Sequence, residues 1–436
     1  MSFAKFEIKQ TGQTFYYNND RNSIVNAEGQ SLSASPIHSE EWYAEQAAQN
    51  GVITKTNKPV GLRILLGHAC NYSCSYCMQK DIGDPSERPE NFWTPDFLES
   101  VEKYLDTSLL TRIELWGGEP FLYWNDMVKI MTHFDSEKIS WYISTNGSAL
   151  RQKHVDFFKQ LKSPVAMGIS HDGPGQESLR GEDIFQRPQV VDVLKQLDLL
   201  YPKFQYSFNP VVSNTNFNLF DINDYFYKLA VDNQLKNCKI SFTLGRTYDD
   251  TDSKNSFEHV IHGENLKAFK IITEDYMNAA IEQLKKHGRS KTLPILQSNI
   301  FDGDTGAIKF AQSVKNELPI TITTNCGADA KDILSVDLRG NARLCPHTHE
   351  KYNGGHISNI KGIKIVSLAL DRKKTHCSDC QVRRLCKSSC PIDFPTDVFL
   401  KNCRVEKIWY GSVQNAGFKM LFGSDVELKE TGIASV

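Results

Sequence analysis

No apolar run in this chain approaches the roughly 20 residues that a membrane-spanning helix needs, so no segment is expected to anchor it in a bilayer by itself. An excess of charge of either sign is lacking too. Fifty Lys and Arg stand against 52 Asp and Glu, a net charge of −2, which supplies no basic field and leaves nucleic acid an unexpected partner. The first ten residues, MSFAKFEIKQ, have no long apolar core of the signal-peptide kind. Internal repeats and low-complexity tracts are absent as well, which excludes solenoids and repeat arrays.

Cysteine is what the chain has in quantity. Its 436 residues contain eleven, in two clusters plus the lone Cys238. Without a secretory signal, such clusters read as metal-bound thiols in a reducing, cytoplasmic setting. The first cluster is Cys70-Asn-Tyr-Ser-Cys74-Ser-Tyr-Cys77, directly after the apolar stretch Leu62 to Leu66. Three thiolates at this spacing hold three corners of a cubane 4Fe-4S cluster and leave the fourth iron open to a chelating ligand. An open iron on a reduced cluster passes one electron into bound S-adenosylmethionine, which breaks to methionine and a 5'-deoxyadenosyl radical. The competing reading is structural zinc, which takes four ligands and usually shows paired knuckles; this triplet is odd-numbered and follows a strand.

A chain of this length should form two or three units. From residue 60 to about 245 short apolar runs alternate with amphipathic stretches, the pattern of parallel strands covered by helices. The predicted strands are Leu62–Leu66, Arg112–Trp116, Ser140–Ser144, Val165–Ser170, Gln205–Val212 and Lys239–Leu244. Thr94 caps the first helix with Pro95 in its first turn; Phe97, Leu98, Val101, Tyr104 and Leu105 share one face. Further helices are expected near 126–134, 150–161, 190–200, 220–229 and 264–287. The fold class is therefore α/β: a partial (β/α)6 TIM-like barrel over 59–300. A short β-rich N-terminal extension over 1–58, with a helix near 40–49, precedes it and offers itself as a peptide-leader-binding element. A cysteine-rich unit over 318–410 and a tail over 411–436 follow.

Ligands in such barrels sit where strands meet their following loops. The second predicted strand ends in Trp116-Gly117-Gly118-Glu119-Pro120. Gly117 and Gly118 let the backbone approach a ligand, and Glu119 can accept from the ammonium group of S-adenosylmethionine. The next strands end in Ser144-Thr145-Asn146-Gly147 and Ser170-His171-Asp172-Gly173-Pro174, with Arg180 a few residues on. Ser144 and Asn146 are polar turn residues of the same mouth, Ser170 and Arg180 suit the methionine carboxylate, and Tyr76 offers a ring to the adenine.

The triplet, the Gly-Gly-Glu-Pro turn and the Ser-x-Asp-Gly turn, in this order, make the chain resemble the radical S-adenosylmethionine (SAM) superfamily. Cys326, Gly340 and Cys345, then Cys377, Cys380, Cys386, Cys390 and Cys403, resemble the SPASM extension of peptide-modifying maturases. The resemblance implies three 4Fe-4S clusters, one for SAM cleavage and two auxiliary. It would place Cys377, Cys380, Cys386 and Cys403 on one auxiliary cluster and Cys326, Cys345 and Cys390 on the other. Fully ligated relatives carry a further cysteine where Asp332 stands, six residues after Cys326; Asp332 or an open iron completes that set. Sulfatase maturases carry a basic Asp just after the second cysteine of the extension, and here that residue is Pro346, which shifts weight away from formylglycine formation. His347 and His349 nearby can take protons but are not counted as catalytic.

The implied function is hydrogen abstraction from a residue of a ribosomally made peptide, followed by a carbon-carbon, ether or thioether cross-link or another oxidation. A flavodoxin- or ferredoxin-like protein would supply electrons. The competing readings are oxidation or rearrangement of a small-molecule substrate such as a sugar alcohol or aminoglycoside, sulfatase-maturase-like oxidation, and a binding or sensing protein without turnover. The catalytic base is not identifiable from the sequence.

Overall fold

A computed structural model of the chain describes residues 3–32, 52–77, 79, 94–245, 259–287, 298–316, 324–346, 353–366 and 375–429, less positions 10, 20, 21, 301, 302, 304, 305, 379, 389, 393, 394, 424 and 425. The helix expected near 40–49, His347 and His349 lie outside the described residues. Three N-terminal strands, β1 (Phe3–Ile8), β2 (Gln13–Asn18) and β3 (Ser23–Val25), form an antiparallel meander. A short β4 (Val52–Thr54) follows and then the barrel strands: β5 (Gly61–Leu65), β6 (Arg112–Trp116), β7 (Ser140–Thr145), β8 (Val165–Ile169) and β9 (Phe204–Phe208). All five are parallel neighbours in sequence order. Their crossovers carry α1 (Thr94–Tyr104), α2 (Trp124–His133), α3 (Gln152–Gln160), then α4 (Gln176–Arg180) and α5 (Pro188–Asp198).

The register puts Leu62, Ile113, Trp141, Val165 and Phe204 on one pleat face, each at most 3% exposed. Apolar residues on this face and on the helices lock the layers together; Phe97 and Val101 of α1 and Leu194 and Leu197 of α5 are buried. The opposite face is polar, because the same register aligns Arg63, Glu114 and Tyr142 toward the lumen. Arg63 Nε donates to Glu114 Oε2 at 3.1 Å, and the Trp116 indole donates to the same oxygen at 3.1 Å. Pairing inside the barrel is what makes burial of these charges tolerable.

The sixth strand departs from expectation. Gln205–Val212 is split, because Pro210 has no N–H to give to a ladder, and only β10 (Val211–Val212) resumes after it. Of the predicted Lys239–Leu244, only β11 (Thr243–Leu244) is a strand, parallel to β10; Ile240 makes a single bridge to Phe208. The barrel is thus five full strands and a short sixth. Helix α6 (Leu219–Asp232) lies between β10 and β11, its N-terminus capped by Asn218, which accepts from the backbone N–H of Phe220 and Asp221.

Beyond α7 (Glu264–His287) and α8 (Ala307–Lys315) the chain returns to the barrel. Strand β12 (Ile333–Asp337) pairs in parallel with the outer edge of β5, and β13 (Asn341–Arg343) and β14 (Asn353–His356) extend the sheet to eight strands. The cysteine-rich segment is therefore joined to the barrel by backbone hydrogen bonds. After β15 (Lys364–Val366), which pairs with β4, and the one-turn α9 (Arg383–Cys386), helix α10 runs from Thr396 to Phe422. Residue 410, the expected end of the cysteine-rich unit, falls inside this helix, whose Trp409 stacks on Phe269 and whose Val413 and Phe418 are fully buried. Strand β16 (Val426–Lys429) then pairs with β1, so this stretch of the expected tail is part of the N-terminal sheet. Among the described residues, no helix is long and apolar enough to cross a membrane.

Candidate functional site

The cysteine triplet lies on the loop after β5, and the backbone of the next turn holds it there. Gly118 N–H donates to Gly67 O at 2.9 Å and Glu119 N–H to Ala69 O at 2.8 Å. Gly118 is required by this contact, since a Cβ there would stand 2.3 Å from the carbonyl oxygens of His68 and Ala69. Later turns complete the support. Asn71 donates to Ser148 Oγ at 2.8 Å, and Ser75 N–H to Leu179 O at 2.9 Å. All three cysteines line one cavity of about 550 Å³ at the ends of the barrel strands. Burial pushes the Cys70 thiol up to about 11 and raises that of Cys74 as well, the Arg180 guanidinium opposing the shift at Cys74. Thiols so placed become thiolates when a cationic centre compensates the burial, as bound iron does.

The donor set fits a cluster. Cys70, Cys74 and Cys77 present three soft thiols to a single cavity, the ligand type that iron-sulfur clusters take; among the described residues no group of three His, Cys, Asp or Glu side chains is close enough to hold a single metal ion. The same cavity has polar lining as well, with Ser144, Asn146 and Ser170. Asn146 Nδ2 donates to Asn71 Oδ1 at 3.0 Å and lies 4.0 Å from Cys70 Sγ.

Comparison with known proteins agrees with this geometry. The family model described as the radical SAM superfamily matches residues 64–203. The chain carries a radical SAM domain. It is 27% identical over 183 residues to the radical SAM cyclopropyl synthase TigE of Paramaledivibacter caminithermalis, 38% of each chain. It is also 27% identical over 129 residues to the antilisterial bacteriocin subtilosin biosynthesis protein AlbA of Bacillus subtilis, covering 28% of this chain and 27% of that one. The matched stretches thus span well under two thirds of these curated relatives. A solved structure of native anSMEcpe with bound AdoMet superposes with a TM-score of 0.58 at 16% identity, over 84% of this chain and 99% of that one. The same protein with AdoMet and the Cp18Cys peptide gives 0.55 at 17% identity, over 84% and 98%. These likenesses show a shared fold.

Within the radical SAM domain the expected SAM contacts divide. Gly117, Gly118, Ser144, Asn146, Ser170, Tyr76 and Arg180 line the cavity with the triplet. Glu119 does not. It is fully buried beneath the turn, where it accepts from Thr145 Oγ1 at 2.6 Å and from the N–H of Asn146 at 2.7 Å and of Phe121 at 3.1 Å. Burial raises its pKa to about 7 against the pull of these donors. Its carboxylate ties the ends of β6 and β7 together, so it is spent on the scaffold rather than presented to a ligand. Tyr76 and Arg180 are both engaged by Asp172, which the sequence did not single out. Asp172 is fully buried and takes both partners plus the Val211 N–H at 2.8 Å. Its place within the Ser-x-Asp-Gly turn was the available signal. Trp116, His68 and His259 also line the cavity and were likewise not predicted.

The C-terminal cysteines form a second gathering. Cys377, Cys380, Cys386 and Cys403 line one narrow cavity with Phe399, Glu406 and Lys407. Three come from the loop and turn around α9, and Cys403 from α10. Cys386 Sγ donates to Glu406 Oε2 at 3.0 Å; burial first and this carboxylate second hold its thiol well above the usual range. Cys326 is exposed, with Thr324 Oγ1 3.3 Å from its sulfur; Cys345 follows β13 and Cys390 follows α9, both half-buried. Asp332 is half-buried at the start of β12, and its carbonyl accepts from Val60 and Gly61. Its charge acts on Lys55, whose ammonium donates to the carbonyls of Ala328, Ala330 and Ile333. Cys238 is a buried thiol of the core.

Proposed function

We propose that this chain is a radical SAM enzyme that abstracts hydrogen from a residue of a ribosomally made peptide and turns it into a cross-link or another oxidised product. The observation that carries the reading is the three-thiol loop, pinned to the Gly-Gly turn, on one wall of a cavity large enough for a cofactor and part of a substrate. When bound, a 4Fe-4S cluster with SAM supplies a 5'-deoxyadenosyl radical. Cys70, Cys74 and Cys77 hold the iron. Gly117 and Gly118 keep the backbone low enough for the amino acid end of SAM, and Ser144, Asn146 and Ser170 supply hydroxyl and amide partners for its polar groups. Trp116 lines the same cavity, its indole held by Glu114, which Arg63 holds in turn.

The peptide substrate is supported by the match to a bacteriocin biosynthesis protein, together with the fold shared with a protein solved with a peptide. In this reading the C-terminal unit is a SPASM-like extension. Cys377, Cys380, Cys386 and Cys403 hold one auxiliary cluster, and Cys326, Cys345, Cys390 and Asp332 or water hold the other. A net two-electron oxidation of substrate needs such an electron exit, and a flavodoxin- or ferredoxin-like donor reduces the first cluster. The setting is the reducing cytoplasm. The test is anaerobic incubation of reduced, iron-reconstituted protein with SAM. Formation of 5'-deoxyadenosine is expected, and its stimulation by a short peptide encoded beside the gene marks the substrate class. Stimulation by an aminoglycoside or sugar alcohol instead would replace the peptide reading, and no cleavage at all would refute the enzyme.

A further inference from the structure

Arg180 stands where a ligand contact is expected, yet most of its donors are committed. Nε donates to Asp172 Oδ2 at 2.9 Å and Nη2 to Asp172 Oδ1 at 3.4 Å. One face of the guanidinium is covered by the Tyr76 ring, whose centroid lies 5.2 Å away, and the Tyr76 hydroxyl donates to the same aspartate. The remaining edge, Nη1, faces Cys74 Sγ at 3.9 Å. The side chains of Arg180 and Asp172 are 8% and 0% exposed, so solvent scarcely screens this arrangement.

We infer that Arg180 is a positioning residue for the cluster on the triplet: it directs an N–H and a fixed positive charge at the Cys74 sulfur, and it does not bind the methionine carboxylate of SAM. The inference rests on the reading that the triplet holds a cluster. A planar fork grips one carboxylate with two of its nitrogens and holds the third at a fixed angle toward the sulfur; a lysine ammonium has its three donors on one nitrogen and does not span both places with that geometry. Turning the fork toward a carboxylate in the cavity would strip buried Asp172 of its counter-charge, which costs more than a new exposed pair returns. Reduction adds one electron and no proton, delivered by the low-potential donor protein. A cation held against a liganding thiolate stabilises the more negative, reduced form, because donors to the sulfurs set cluster potentials.

The experiment uses the full chain, reconstituted anaerobically, as wild type, as Arg180→Lys and as the charge-neutral pair Asp172→Asn with Arg180→Gln. The triplet cluster's reduced signal is titrated against potential by electron paramagnetic resonance, and SAM affinity is measured separately. Both variants are expected to disfavour the reduced cluster by about tenfold, 59 mV for one electron, with SAM affinity unchanged. Weakened SAM binding at an unchanged potential overturns the inference. Wild-type protein labelled with 15N-arginine decides the case even if the variants fail to fold: a 15N coupling to the reduced cluster is expected, and its absence overturns the assignment. If no triplet cluster forms in wild type, the preceding reading fails instead, which the two measurements tell apart.

Discussion

The two cysteine gatherings differ in what surrounds the sulfur. The triplet loop opens on a wide cavity, carries three thiols and meets a guanidinium; the C-terminal set has four thiols around a narrow gap and meets a carboxylate, Glu406. Support differs as well. The triplet hangs on a loop held by backbone contacts to the Gly-Gly turn, whereas Cys403 is built into a helix whose Val405 and Trp409 are buried core. Thiol count and room thus vary together. Where a fourth cysteine closes the set there is no space for a ligand, and where it is missing there is.

The sharpest way to break this comparison is to empty one site and watch the other. Replacing Cys70, Cys74 and Cys77 together by Ala should abolish 5'-deoxyadenosine formation while iron analysis still finds the C-terminal iron. Cleavage continuing at a comparable rate would sink the assignment. The converse change, Cys386→Ala with Cys403→Ala, should remove about four iron atoms per chain and lower the melting temperature, because Cys403 sits in the packed α10. SAM cleavage without substrate should survive.

Gly118→Ala tests the support of the triplet. Its added Cβ would collide with the carbonyl oxygens of His68 and Ala69, and forced repacking of this kind costs about 1–3 kcal/mol. A lower melting temperature and weaker SAM binding are expected, with iron at the C-terminal site untouched. A smaller, pH-dependent effect belongs to Glu119→Gln, which sets an NH2 against one of the three donors at a loss of about 1–3 kcal/mol. The sign follows from the raised pKa. Stability drawn from Glu119 is fully present below its ordinary value of 4.5 and is lost as pH rises through about 7. The gap in melting temperature between wild type and variant should therefore narrow from pH 5 to pH 8; a constant gap contradicts it. The smallest effect is expected from Asp332→Ala, which should alter the spectrum of the auxiliary cluster assigned to Cys326, Cys345 and Cys390 without removing its iron. An unchanged spectrum takes Asp332 out of the ligand set.

Much of the barrel was legible because strands such as Arg112–Trp116, matched end to end, alternate apolar residues with polar ones and are bounded by turns. Gln205–Val212 misled because Tyr206, Phe208 and Val212 keep the period-two spacing of one strand across Pro210, which cannot pair. The pairing of β12 with β5 was invisible, since apolar alternation marks a strand but says nothing of which edge it joins. At the site, the cysteines announced themselves by spacing. Glu119 and Arg180 were read from turns that follow barrel strands, but the direction each side chain takes depends on partners far off in sequence: Thr145 and Asn146 for one, and Cys74 and Tyr76 for the other.

The parallel pairing of β12 with β5 also has a temporal side. During synthesis β5 emerges early, and one of its edges stays bare until residue 337 has left the ribosome. A bare edge beside an apolar face is a template for mispairing with other chains. Because the segment that covers it also leads from Cys326 to Cys345, closure of the barrel edge waits on the chain that carries these cysteines; with the proposed cluster there, iron delivery would be late and coupled to that closure, and starving cells of iron should raise the aggregated fraction of newly made chain.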